Sequence, residues 1–264
     1  MAVQPPAIAP AGGPAATLGS EDDAKILTIM EHLTELRGRL MWCAAALVLA
    51  LGASFYPLTG WFMEFLQQPG EDQIPGFDLY AFDPLEGWTT YFRVSLLLAI
   101  SMAMPMFVYQ LLAFVSPGLK AAERRWVVPV VVGASLSFLG GCAFAYYIEL
   151  PPALGFLLNP PGDIQPLISV SKYFNFVTRL MLVTGLVFEM PLVVMGLAKL
   201  GVVRSKQLLG WWRFAIVGAF VVSAVVTPSI DPVTQALVAG PIIALYFLGI
   251  LLAKLVEGRP IIQR

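Results

Sequence analysis

Hydrophobic positions in this chain gather into long runs, and polar residues fall in short stretches between them. Ahead of the first run, Ile26, Ile29, Met30, Leu33, Leu36 and Leu40 recur at helical spacing, with Thr28, Glu31, His32, Glu35 and Arg39 on the opposite side. Residues 24–40 are therefore predicted to form a short amphipathic helix at a membrane surface. Residues 40–63 carry no charge, and a run of that length crosses about 30 Å of hydrocarbon, which predicts a first span. A second is predicted over 90–114, with Arg93 snorkelling at one end, Pro105 kinking it and Ser116-Pro117-Gly118 ending it. A third covers 126–148, followed by a Pro- and Gly-rich loop over 151–166, and a fourth covers 171–200. The fifth apolar run, 214–226, gives only about 20 Å of helix. The sixth, 233–253, is interrupted by Gly240-Pro241, so the last two helices are expected to be short and to match a thinner slab. The pattern predicts an all-α, polytopic fold with six spans. Residues 1–23 are assigned to a disordered Ala/Pro-rich leader, 24–256 to one membrane domain and 257–264 to a tail. There is no period of 20 to 50 residues and no pair of similar halves.

Composition agrees with the pattern. The chain is 58% hydrophobic and 12% charged, with mean hydropathy +0.78, against about a quarter charged in soluble domains. The net charge of -1 hides an asymmetry. Thirteen of the 16 Lys and Arg residues fall in four clusters: Lys25, Arg37 and Arg39; Lys120, Arg124 and Arg125; Lys199, Arg204, Lys206 and Arg213; Lys254, Arg259 and Arg264. Segments 57–90, 151–171 and 227–232 have no Lys or Arg, and the first of them carries six acids. Basic loops stay in the cytosol, so both termini are expected there. A chain without a broad basic face is a poor ligand for nucleic acid. Cys43 and Cys142 lie in apolar runs and read as packed thiols.

Few residues carry candidate chemistry. Glu189 stands in an apolar run between Arg179 and Lys199, where an ionisable group is expensive. It could be a carboxyl hydrogen-bonded inside the bundle, with Pro191 freeing a carbonyl for it, or a contact for a partner helix or a transported species. Glu123 could offset Arg124 and Arg125 on a solvated face, and Glu35 could form an i,i+4 ion pair with Arg39. The two acids could equally dock a cationic peptide, since guanidinium pairs well with carboxylate. Asp231 is placed to cap the last helix, with Gln235 one turn further on, and both could meet a partner. His32, the single histidine, faces the polar side of its helix and reads as solvated. No H-E-x-x-H, G-x-S-x-G or G-x-x-x-x-G-K-[ST] is present, which removes the simplest supports for catalysis and nucleotide hydrolysis. No cofactor or metal is implied.

Six stretches in order resemble the TatC subunit family of the twin-arginine protein translocase. They are residues 31–40 (EHLTELRGRL), 109–119 (YQLLAFVSPGL), 123–125 (ERR), 144–146 (FAY), 188–191 (FEMP) and 227–235 (TPSIDPVTQ). The resemblance implies six helices curved into a concave wall capped by outer loops, in the cytoplasmic membrane of a bacterium. It implies that Glu123, and secondarily Glu35, receive the paired arginines of a folded cargo's signal peptide, with Arg37, Phe114 and Leu119 on the same surface. It also implies that Glu189 contacts single-span TatA-like and TatB-like partners, that Asp231 and Gln235 lie where they dock, that Pro69 matches a position in the first outer loop, and that several copies assemble. Ala121-Ala122 departs from a more polar stretch in some members. A proton-coupled transporter using Glu189 is the alternative reading. An intramembrane protease, third, lacks a second acid at membrane depth.

Overall fold

The computed structural model describes residues 20–74, 76–115, 127–159, 162, 167–227 and 231–257. Its elements are α1 (Ser20–Phe55), α2 (Thr59–Glu71), β1 (Leu79–Tyr80), α3 (Glu86–Val115), α4 (Val127–Phe144), a π turn (Ala145–Glu149), α5 (Leu150–Leu158), β2 (Ile168–Ser169), α6 (Val170–Lys199), α7 (Ser205–Gly210), α8 (Trp212–Val226) and α9 (Pro232–Glu257). Among the described residues, five helical stretches are long and apolar enough to cross a membrane: Leu33–Phe55, Glu86–Phe114, Val127–Leu158, Val170–Lys199 and Pro232–Glu257. The fold is an all-α polytopic membrane fold, as the hydropathy pattern predicts.

Four expected boundaries change. The surface helix and first span are one helix, because 20–55 contains neither Pro nor an internal stop, and that helix ends at Phe55 rather than at residue 63. Thr59–Glu71 is a separate helix, turned against α3 by a buried polar knot in which Thr59 Oγ1 and Ser95 Oγ lie 2.8 Å apart and Thr59 donates to the Ser54 carbonyl at 3.0 Å. The third span does not stop near Ile148. It passes through the π turn into α5, whose first residues are Leu150-Pro151-Pro152. The last helix is not interrupted at Gly240-Pro241: α9 runs 26 residues, about 39 Å, with Pro241 inside it. Of the last two helices only α8, at 15 residues, is short.

The spans pack as a row. α1 lies on α3, α3 on α4 and α6, α4 on α6, α6 on α9, and α9 on α8. The core between them holds Leu66, Phe138, Leu150, Leu154, Phe174 and Leu180, all essentially without exposure. The α4–α6 seam is close: a Cβ on Gly141 would lie 2.8 Å from the Gly185 Cα. Small residues allow this approach where apolar transfer cannot drive helix association. Ser137 Oγ donates across the seam to the Phe188 carbonyl at 2.8 Å. α6 ends in a Schellman arrangement, with Gly201 at φ 76° and Val202 N–H reaching the Leu197 carbonyl at 3.0 Å.

At one end, two connecting segments are tied together. β1 and β2 pair in parallel, Leu79 with Ile168 and Tyr80 with Ser169. The Glu86 carboxylate accepts from Phe82 N–H at 2.6 Å, Ser171 N–H at 2.9 Å and Ser169 Oγ. Exposed Tyr56, Trp61 and Trp88 ring this end, and exposed Trp42, Trp211 and Trp212 the opposite one, the placement of amphipathic rings at two membrane interfaces.

Candidate functional site

Two groups of polar side chains stand out, one at the end of the bundle that carries Trp42 and one at mid-depth. The first begins on α1. Four residues separate Glu35 from Arg39, which puts them on one helical face. Arg39 donates to Glu35 Oε1 from Nη2 at 2.5 Å and from Nε at 3.0 Å. Its Nη1 reaches Gln110 Oε1 on α3 at 3.4 Å. Phe114 lies one turn beyond Gln110 and is half-buried. Arg37 is exposed on α1. Thus Glu35, Arg37 and Phe114 stand on two helices that a charge-assisted bond ties together. Glu123 and Leu119 lie outside the described residues.

The second group surrounds α6. Glu189 is 9% exposed and its Oε1 is buried without a hydrogen-bond partner. Nearby, the Phe188 carbonyl accepts from Ser137 Oγ, whereas the carbonyl that Pro191 leaves without its helical donor is that of Val187. A second buried carboxyl was not read from the sequence: Glu149, 1% exposed, accepts from Thr184 Oγ1 at 2.7 Å through Oε2, while Oε1 has no partner. The signal for it was present but masked. Pro151-Pro152 reads as a loop start, which puts Glu149 outside the span, whereas the π turn carries the helix through and aims the side chain at α6. π turns inside helices are frequent at functional sites.

The remaining residues have structural partners. Asp231 caps α9, accepting from Thr234 N–H at 2.7 Å and from Thr234 Oγ1. Gln235 ties α9 to α8, its Nε2 donating to the Phe220 carbonyl at 3.0 Å, while its own carbonyl accepts from Ser223 Oγ at 2.6 Å. They share the α8–α9 hairpin and stand apart from Glu35. Pro69 lies in the connection between the first two spans, buried inside its helix α2. A proline leaves the carbonyl four residues earlier without its helical donor, and that carbonyl, Phe65, accepts from Tyr146 Oη at 2.8 Å. Tyr173 Oη donates to the next carbonyl, that of Leu66, at 2.8 Å. Among the described residues no group of three or more His, Cys, Asp or Glu could hold a metal.

This fold and these sites define a polytopic helical membrane protein with a charged junction at one end and carboxyls buried at mid-depth. Comparison with known proteins agrees. Residues 31–241 match the family described as Sec-independent protein translocase protein (TatC). The chain is 41% identical over 237 residues to the chloroplastic Sec-independent protein translocase protein TATC of Arabidopsis thaliana, covering 88% of this chain and 68% of that one. It is 39% identical over 244 residues to Sec-independent protein translocase protein TatC of Synechocystis sp., covering 87% and 88%. A crystal structure of a twin arginine translocase receptor, TatC, superposes with TM-score 0.78 at 36% identity, covering 85% of this chain and 99% of that one. The chain belongs to the Sec-independent protein translocase protein (TatC) family.

Proposed function

We propose that the chain is the twin-arginine signal-peptide receptor and core scaffold of a translocase that exports folded proteins across the cytoplasmic membrane of a bacterium. It crosses six times with both termini cytosolic, its helices form a concave wall, and it works in several copies with TatA-like and TatB-like single-span partners. The observation that carries this reading is the junction of α1 and α3, where Arg39 links Glu35 to Gln110, with Arg37 and Phe114 on the same two helices, at the end of the bundle bearing Arg204, Lys206 and Lys254. Glu123 and Leu119 follow α3 in sequence, and this reading assigns them to the same surface. The row of helices, with α1 and α8 at its ends, supports a scaffold with lateral access for partners rather than a transporter's enclosed path. Membership of the family supports the membrane potential, with no nucleotide hydrolysis on this chain, as the energy source.

Glu123→Ala or Glu123→Gln is expected to weaken binding of a twin-arginine peptide by one to two decades, since losing one partner of a charge-assisted pair forfeits about 1.5 to 3 kcal/mol. Glu35→Ala should cost less, and binding should weaken with added salt. Unchanged peptide affinity and cross-linking in Glu123→Ala would remove that residue from the site.

A further inference from the structure

The carboxylate assigned a share in binding cargo arginines already holds an arginine of its own chain. Both N–H contacts from Arg39 converge on one oxygen of Glu35, and the third guanidinium nitrogen is held by Gln110 from α3. The Arg39 side chain is 25% exposed and that of Glu35 37%, so the arginine is the more deeply anchored partner and the carboxylate the more accessible one. A guanidinium fork from outside takes both oxygens of a carboxylate. It therefore cannot engage Glu35 fully while Arg39 keeps Oε1. Arg39 also cancels much of the charge that Glu35 would present to an approaching cation.

We propose that Arg39 is an internal competitor for Glu35, which withholds this carboxylate from a cationic peptide until the peptide displaces it. The inference rests on the reading of Glu35 as part of the recognition surface. It gives a physical cause for the lesser weight expected of Glu35 beside Glu123: part of what Glu35 could contribute goes into displacing Arg39. An i,i+4 pair at a partly exposed helical face is weak enough to yield, so the competition is a bias and not a lock.

The test is a double-mutant cycle on the full-length chain in lipid nanodiscs, read by the affinity of a fluorescent synthetic peptide with two consecutive arginines. Arg39→Gln is expected to tighten binding by about two- to fivefold, the range that a partly exposed ion pair supports. The diagnostic quantity is the coupling. Glu35→Gln should cost about two- to fivefold more affinity in the Arg39→Gln background than in the native chain. Removing a positive charge without any competition would tighten binding equally whether residue 35 is Glu or Gln. An equal cost of Glu35→Gln in the two backgrounds, or weaker binding in Arg39→Gln alone, overturns the competition and leaves Glu35 in recognition. No effect of Glu35→Gln in either background overturns both. If Arg39→Gln fails to accumulate in the membrane, Arg39→Lys carries the same cycle with a smaller coupling, because one ammonium replaces two guanidinium contacts.

Discussion

Glu149 and Glu189 both reach into the packing around α6, each with a buried oxygen that has no partner, and they differ in what holds the rest of the carboxyl. Thr184 fixes Glu149 across a seam with almost no exposure, so its role is internal. Glu149→Gln keeps an acceptor for Thr184 and should leave thermal unfolding in detergent nearly unchanged. Glu149→Ala strands the Thr184 hydroxyl and opens a void, at an expected cost of about 1 to 3 kcal/mol. Equal melting of the Gln and Ala variants would show that the Thr184 bond contributes nothing. Glu189 instead faces the Phe138 backbone on α4. Glu189→Ala should leave insertion and signal-peptide binding intact yet impair export, and Glu189→Gln should retain more activity, because a bond between membrane helices averages only about 0.6 kcal/mol and acts mainly on alignment. Normal export and unchanged partner cross-links in Glu189→Ala would make the carboxyl merely structural. Glu189 was legible in the sequence because the run around it is unbroken. Glu149 was not, because helix continuation through two prolines depends on a π turn that periodicity does not reveal.

At the scale of elements, the α4–α6 seam sets how rigidly these carboxyls are held. A Cβ at Gly141 meets the backbone of α6 at Gly185, which can yield only if the helices part, whereas a Cβ at Gly140 meets nothing within 4 Å. Gly141→Ala should therefore destabilise the fold by about 1 to 3 kcal/mol, while Gly140→Ala should gain up to about 1 kcal/mol from helix propensity. Thermal unfolding of the two variants checks this, and similar shifts in both would mean that the seam is looser than the structure has it. Helix existence was legible from the apolar runs, whereas helix ends were not. Pro69, Pro105, Pro191 and Pro241 all lie inside helices, where a proline reads locally as a break. Near two of the four, distant side chains bond backbone carbonyls: Tyr146 at Phe65, which Pro69 leaves free, and Ser137 at Phe188, three residues before Pro191. Such long-range donors, 51 and 81 residues away in the chain, lie beyond any local sequence window.

For the whole molecule, sidedness follows from charge and is reinforced by the way the helices alternate. The ends of α1, α6 and α9 that bear Arg37, Arg39, Lys199 and Lys254 lie together with α7, as the bonds from Ser205 to Glu257 show at the α7–α9 contact. The opposite end carries Glu64, Glu71, Asp72, Asp78, Asp83 and Glu86. The weak element is α8, whose 15 residues give about 22 Å against about 30 Å of hydrocarbon. Its exposed Phe214, Val217, Val221 and Val225 form an apolar face, and Arg179 from α6 bonds the Val225 carbonyl near its C-terminus at 3.1 Å. A short span costs only a fraction of a kcal/mol per ångström of mismatch, which local thinning absorbs. α8 is therefore expected to cross, so that reporter fusions at Gly76, Asp163 and Ser229 should all report the outer side. An outer signal at Gly76 and Asp163 with a cytosolic one at Ser229 would mean that α8 turns back within the inner leaflet, leaving five spans; cytosolic signals at two of the three positions would overturn the charge-based orientation itself.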